Sequence, residues 1–210
     1  MSTQSLPPSP FQVKVFRGAE VLPYLRTVID LRLKAFCSFP YLYVADVDEE
    51  LAHTQAYASS PQSLFVIGFR GEKMVGFCSG LPLQMPVSFL RRLCKAFKQE
   101  GLKVADYYYF NEIVIAPAFQ RHNLGSQLIR RFLQEIQKMN FQGVTGITSI
   151  RPHDHPLRPK NYFDTDTIWG KFGFVKIPLI CSAPWPTRKL DGSVKVEKNQ
   201  VACWINNFEI

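Results

Sequence analysis

Between Asp106 and Ile150 the hydrophobic pattern changes period twice, and this restricts the fold more than any other feature of the chain. Tyr107 to Ile115 is rich in aromatic and β-branched residues and reads as a strand that ends at Ala116-Pro117. A short loop, Ala118 to Asn123, leads into Leu124-Gly125-Ser126. From there Leu124, Leu128, Phe132, Ile136 and Met139, with Ile129 and Leu133 beside them, recur at three- and four-residue steps. Gln127, Arg130, Arg131, Gln134 and Lys138 face the other way, so the segment is an amphipathic helix. Gly143 to Ile150 is again strand-like. A strand, a helix and a second strand make a crossover unit, for which parallel pairing is the default.

Shorter elements surround this unit. Phe11 to Phe16 alternates as a strand after a Pro/Ser tail over residues 1–10, and Ala19 to Phe36 carries Val21, Leu22, Leu25, Val28, Ile29, Leu31 and Leu33 at helical spacing. A second helix covers Val47 to Ala58, and a hairpin follows, Ser63 to Phe69 and Lys73 to Gly80, turning at Arg70-Gly71-Glu72. The remainder offers a short helix at Thr165 to Phe172, the pair Gly173-Phe174, a strand from Val175 to Cys181, a Pro/Gly-containing loop and a last strand at Gln200 to Asn206. The expectation is an α/β chain with one domain over residues 11–210 and an insert at about 82–104. A length of 210 residues exceeds a typical domain of about 150 by too little for two.

Within the insert, Phe89, Leu90, Leu93, Cys94 and Phe97 oppose Arg91, Arg92, Lys95 and Lys98. Three readings fit such a basic amphipathic helix: a surface helix with its apolar side on the core, a lid over a substrate, or a patch on anionic lipid. The net charge of +8 implies attraction to something anionic without choosing a nucleic acid, a lipid or a phosphorylated cofactor. Half of Tyr107-Tyr108-Tyr109-Phe110 is expected in the core, because strand residues alternate between faces, and a nucleic-acid stacking platform is therefore not expected. No apolar run reaches the roughly 20 residues that span a bilayer, and the start lacks a signal-peptide pattern. The five scattered cysteines, none in a C-x-x-C pair, read as reduced thiols, and the location expected is cytoplasmic.

The loop that opens the long helix is the candidate ligand site. The first turn of a helix has amides with no intrahelical acceptor and a partial positive charge, which together make an anion seat. Gln120, Arg121 and His122 add side-chain donors, and Gly125 has no Cβ to hold a pyrophosphate off the backbone. Neither G-x-x-x-x-G-K-[ST] nor G-x-G-x-x-G occurs here. His153-Asp154-His155 has the look of a metal cluster, but no further Cys or His stands at ligand spacing and no metal is expected. Prolines at 152, 156 and 159 make it a stiff loop instead, with His155 and Arg158 as candidates for contacting a substrate.

Gln120, Asn123 and Gly125 resemble the three specified positions of the Gln/Arg-x-x-Gly-x-Gly/Ala loop of the GNAT (GCN5-related N-acetyltransferase) superfamily. Asn123 stands where glycine is usual, and Asn is one of the few other residues that tolerate a left-handed backbone. Ile168-Trp169-Gly170-Lys171-Phe172-Gly173-Phe174 is similar to the superfamily's Tyr-x-x-x-Gly-Phe segment, in the right order and spacing. The run Arg151 to Pro159, with Tyr162, Asp166 and Trp169, resembles a bacterial branch with an RP-x-DHP-x-RP segment.

The resemblance implies a mixed central sheet whose parallel strands splay apart, with flanking helices. It also implies acetyl-CoA as acyl donor and direct transfer to a primary amine of a small molecule or a protein. By the same resemblance, the backbone of Ile113, Val114 and Ile115 would pair with the pantetheine arm, and Gln120, Arg121, His122, Asn123, Leu124, Gly125 and Ser126 would take the pyrophosphate. Glu112 is the first choice for the base that deprotonates the amine, with Tyr109 and Asn111 as neighbours able to orient a water. The family's usual tyrosine acid is replaced by Trp169, an indole too weakly acidic to serve, which makes Tyr162 the candidate acid. A monomer or homodimer is expected. Asn123 and Trp169 also keep open a second reading, an acyl-CoA-binding sensor or interaction module without turnover. A third reading is association with nucleic acid or membrane through Arg91, Arg92, Lys95 and Lys98.

Overall fold

The computed structural model describes residues 10–163 and 165–208. The expected tail lies, apart from Pro10, outside the described residues. In chain order the elements are β1 (Phe11–Arg17), α1 (Leu25–Phe36), α2 (Val47–Ala58), β2 (Leu64–Arg70), β3 (Lys73–Pro82), α3 (Arg91–Gln99), β4 (Tyr107–Ile115), α4 (Leu124–Gln137), β5 (Gly143–Ser149), α5 (Thr165–Lys171), β6 (Val175–Arg188) and β7 (Val194–Asn207). The strands form one sheet in the order β1-β2-β3-β4-β5-β7-β6. Every neighbouring pair is antiparallel except β4 with β5, which are parallel as the crossover requires.

Helices cover both faces. Val28 of α1, Tyr57 of α2, and Leu93 and Phe97 of α3 pack with Phe65, Phe77, Tyr109 and Val114 on one side. On the other, Leu124, Leu128, Phe132 and Ile136 of α4 pack with Val66, Cys78, Tyr108, Phe110 and Val144. This two-sided cover corrects the expectation for the aromatic run. Tyr107, Tyr108, Tyr109 and Phe110 are all buried, because the alternate faces of β4 both meet helices.

Three segments depart from the sequence reading. The helix expected from Ala19 begins with a 3₁₀ turn over Gly18–Tyr24 that contains Pro23, and regular α-helix starts only at Leu25, since proline cannot donate the bond an α-helix interior needs. β6 and β7 are each 14 residues long, and most of the loop expected between them is a paired hairpin. Pro178, Pro184 and Pro186 are compatible with that because β6 is the sheet edge, where a missing N–H breaks no ladder. In the insert, Leu90, Leu93 and Phe97 face the core while Arg91, Arg92, Lys95 and Lys98 are exposed, as the surface-helix reading expects. Two cysteines are buried and three half-buried, and all five are free thiols.

One irregularity sets up the site. β3 pairs with β4 in register from Gly76↔Ile115 to Ser79↔Glu112 and then skips a residue, so that Gly80 faces Phe110 and Asn111 bulges out. Gly80 sits under this bulge, where a Cβ would lie 2.5 Å from the Tyr109 carbonyl oxygen and 2.6 Å from the Phe132 ring. Gly80→Ala should therefore cost about 1–3 kcal/mol by overpacking, a fall in Tm of roughly 2–4 °C per kcal/mol for a domain of this size. Thermal melts check this, and an unchanged Tm would mean that the bulge has slack.

Candidate functional site

β4 and β5 are hydrogen-bonded neighbours over three residue pairs only, Tyr107↔Gly143, Tyr108↔Val144 and Tyr109↔Thr145. Beyond Tyr109 the strands part, and the bulge at Asn111 marks the fork. Ala116 N donates to Val75 O on β3, so alternation turns the N–H and C=O of Val114 and Glu112 toward β3, and those of Ile113 and Ile115 toward the gap. The Ile115 carbonyl is met there by Gln120 Nε2 at 3.2 Å. Trp169 lies at the fork on the α4 side. Its ring packs edge-on to Phe110 (5.4 Å) and Phe174 (4.5 Å) and over Gly146, where a Cβ would collide with it.

The loop from β4 to α4 reaches the same gap. Arg121 and Asn123 both have φ of +63°, and these two left-handed residues turn the chain tightly into the helix. The first helical bond is Gln127 N to Asn123 O (3.2 Å), which leaves the N–H groups of Leu124, Gly125 and Ser126 without an intrahelical acceptor. Asn123 makes no side-chain cap with them. His122 Nδ1 donates to the Gln120 carbonyl at 2.7 Å, which fixes the loop's crest. A Cβ at Gly125 would meet only Ile113 Cδ1 and Ile115 Cγ1, at 3.9 and 4.0 Å. The fork and the open amides at the start of α4 thus lie side by side, which fits a long carrier with an apolar arm and an anionic diphosphate.

The other side of β4 is polar and enclosed. Glu112 is 5% exposed and is reached by residues of α1, β3 and β4 itself. Ser79 Oγ and Asn111 Nδ2 donate to its Oε1 at 3.0 and 3.1 Å, and Arg32 Nε of α1 lies 3.5 Å from its Oε2. The same Arg32 Nε is 3.5 Å from Oε2 of Glu50 on α2, whose Oε1 accepts from the Tyr43 hydroxyl. Burial pushes the Glu112 carboxyl above the ordinary carboxylate range, against the opposing pull of Arg32 and the two donors. Burial alone would lower the proton affinity of Arg32, but Glu112, Tyr57, Glu50 and Tyr43 together raise it. Tyr41 is pushed up to about 12, first by burial and then by Tyr162 and Glu112. Phe89 of the insert packs against Tyr57 and Tyr109 (6.0 and 6.2 Å) and closes this chamber from the α3 side.

The stiff loop after β5 folds over the α1–α2 connection. Arg151 donates from Nε to Pro40 O (2.8 Å) and from an Nη to Tyr41 O (3.3 Å), and Trp185 of β6 donates to the same Tyr41 carbonyl (3.0 Å). Phe39 takes His155 at 5.4 Å and Tyr162 at 4.8 Å, with the Arg158 guanidinium 4.7 Å over the Tyr162 ring. His155 and Arg151 also line a cavity of about 320 Å³ with Leu42, Thr187 and Glu197. The predicted residues thus fall into two groups: Ile113, Ile115 and Gln120 to Ser126 along the fork, and Glu112, Tyr162, His155 and Arg158 on the chamber side. Val114 is not at the fork, since its side chain is in the core and its backbone pairs with β3.

Arg32, Glu50, Tyr41 and Tyr57 were not foreseen, though two of them leave a signal in the sequence. Arg32 continues the spacing of Leu25, Val28 and Ile29, the buried stripe of α1, and Glu50 shares a stripe with Thr54, Tyr57 and Ala58 on α2. A charge on a helix's core stripe is the mark of a buried ion pair.

The forked mixed sheet and the open helix start define the class, an α/β domain of the N-acetyltransferase type. The sequence profile of the Acetyltransferase (GNAT) family matches residues 29–157, more than half of the chain, and the chain belongs to that family. Acetyl-CoA-dependent acetyl transfer is that family's chemistry. Solved structures share the fold at low identity. The ribosomal-protein-S18-alanine N-acetyltransferase of Escherichia coli is 10% identical with a TM-score of 0.53, over 95% of this chain and 96% of that one. The ribosomal-protein-alanine N-acetyltransferase of Brucella melitensis is 10% identical with a TM-score of 0.57, over 93% and 99%. The yncA protein of Salmonella typhimurium, solved with its cofactor acetyl-CoA, is 10% identical with a TM-score of 0.56, over 94% of each chain. No curated protein sequence matches. Among the described residues no helix is long and apolar enough to cross a membrane.

Because the protein itself leaves room at Gly125, a bulky residue there is predicted to be selective in its harm. Gly125→Val should leave Tm nearly unchanged while weakening acetyl-CoA at least about tenfold, roughly 1.4 kcal/mol. Calorimetric titration and thermal melts read the two effects separately. A parallel loss of both would place the glycine in the fold rather than in the site.

Proposed function

We propose that this protein transfers the acetyl group of acetyl-CoA directly to a primary amine, with Glu112 as the base. The observation that carries the reading is the position of Glu112: it follows the bulge at the fork and is buried, with one oxygen held by two donors and the other aimed at a guanidinium. Acetyl-CoA supplies the activated thioester, and the residues of this chain do the rest. The N–H and C=O groups of Ile113 and Ile115 hold the pantetheine arm as an added strand would, and the amides of Leu124, Gly125 and Ser126, with Gln120, Arg121, His122 and Asn123 around them, take the diphosphate. This fixes the carbonyl carbon beside the chamber.

An alkyl ammonium must lose a proton before its nitrogen can attack. Glu112 takes that proton directly or through a water held by Asn111 and Tyr109, and its raised proton affinity brings it closer to the amine than an ordinary carboxylate would be. The new C–N bond forms as the C–S bond breaks. The sulfur leaves as a thiolate, which takes a proton from Tyr162 or from solvent, and a thiol with an ordinary pKa near 8.5 leaves without a strong acid. Trp169 occupies the family's usual acid position and holds the fork by packing. His155 and Arg158 line the approach of the acceptor and orient it.

The test is release of free CoA, followed with a thiol reagent, against a panel of alkyl amines, amino acids and peptides with free N-termini. Glu112→Gln should lower kcat by about 10²–10⁴ with little change in acetyl-CoA affinity. For the wild type, the rate should rise with pH through a midpoint above the normal carboxylate range, since Glu112 acts only when ionised. Tight acetyl-CoA binding with no transfer to any amine would favour the acyl-CoA-binding module instead, a reading supported by Trp169 standing at the acid position.

A further inference from the structure

Arg32 lies between two carboxylates that come from different elements, Glu50 on α2 and Glu112 on β4, each 3.5 Å from the same Nε. Arg32 Nε, Glu50 Oε2 and Glu112 Oε2 are buried, and none of the three has a hydrogen-bond partner among the described residues. Glu112 Oε1, by contrast, has two donors, and Glu50 Oε1 has the Tyr43 hydroxyl. One oxygen of each carboxylate is therefore hydrogen-bonded, and the two that are not face a single positive charge. Two negative charges against one, out of water, form a group that is short of one positive charge. The other titratable side chains that act on Glu112 or feel its charge are Tyr41, Tyr57, Cys78 and Tyr109. Burial raises all four, so they stay neutral at working pH.

We propose that Arg32, Glu50 and Glu112 act as one proton-accepting unit, in which Arg32 and Glu50 are positioning residues and the amine's proton comes to rest on Glu112 Oε2. The proposal rests on the reading of Glu112 as the base. In the step it describes, the N–H bond of the ammonium breaks, its electron pair stays on nitrogen, and the proton bonds to Oε2. The unit then holds one negative and one positive charge. Glu50 favours that uptake by repelling the second negative charge, and Arg32 restrains it by favouring the ionised form. Arg32 lies 3.5 Å from both carboxylates, so the readiness of Glu112 to take a proton is set from α1 and α2 together and depends on how those helices sit against β4.

The experiment is a carbon-NMR pH titration of protein labelled at its glutamate carboxyls, with the Glu112 signal assigned from Glu112→Gln. It needs no acceptor. Glu50→Gln, which keeps the shape and removes the charge, should move the Glu112 midpoint down by about one pH unit or more, a tenfold change in proton affinity. Arg32→Gln should move it up, and Arg32→Lys, which restores the charge, should bring it back toward wild type. Once an acceptor is found, the acidic limb of the kcat/KM profile should move in the same two directions. A midpoint that does not respond, or that moves the same way in Glu50→Gln and Arg32→Gln, overturns the unit even if Glu112→Gln is dead in transfer. Opposite shifts together with a Glu112→Gln that still transfers overturn the base assignment instead, and the unit's role with it.

Discussion

Two parallel strands that stop pairing after three residues are the constraint on which the rest of this structure depends. A parallel ladder normally continues as long as both strands do, because every unpaired amide it leaves behind is exposed to desolvation without a partner. Here β4 runs on from Tyr109 to Ile115 with the amides of Ile113 and Ile115 turned to the gap. The cause lies in β4 and its other neighbour. The bulge at Asn111 increases the local twist and re-aims the strand, and Gly80 makes it sterically possible by letting β3 pass under the Tyr109 carbonyl. Trp169, lying on Gly146 and against Phe110, keeps the parted strands from closing again on the α4 side.

The same bulge divides the chemistry between the two faces of one strand. Residues before it alternate as Tyr107 and Tyr109 toward α1 to α3, and Tyr108 and Phe110 toward α4. After it, Glu112 and Val114 face the first set, and Ile113 and Ile115 the second. The extra residue thus puts an acid into a buried polar chamber while the next residue along lines the fork. On the proposed reading, donor and acceptor meet at this strand because its two faces serve different partners. The enclosing residues of the chamber, Arg32, Tyr41, Glu50 and Tyr57, come from α1, α2 and the loop between them, far in sequence from Glu112, and the loop carrying Tyr41 is tied to the sheet by Arg151 and Trp185.

Much of this was legible in the sequence because it is local. The β4–loop–α4–β5 unit follows from periodicity, the anion seat from the start of a helix, and the left-handed turn from an asparagine that tolerates it, which Asn123 occupies with φ of +63°. The family resemblance added the order of the remaining parts. What stayed hidden is non-local. Nothing in Glu112 itself says that it is buried rather than solvated, since that depends on two helices folding over it. The length of the β6–β7 hairpin was masked by prolines, which act as loop signals except on an edge strand, and only the strand order shows where the edge is. Phe89 could not be tied to the site from the insert's pattern, because its contacts with Tyr57 and Tyr109 are to residues of other elements, outside the insert.

The central claim is that the amides at the fork and at the start of α4 receive one ligand together. Amide hydrogen exchange with and without CoA tests it most directly, since it reads each backbone N–H and requires neither turnover nor a known acceptor. Protection is expected at Ile113, Ile115 and Leu124 to Ser126 as a group, with little change at the cavity of about 550 Å³ bounded by Tyr107, Val175 and Leu179. Protection at that cavity with none along the fork would contradict it.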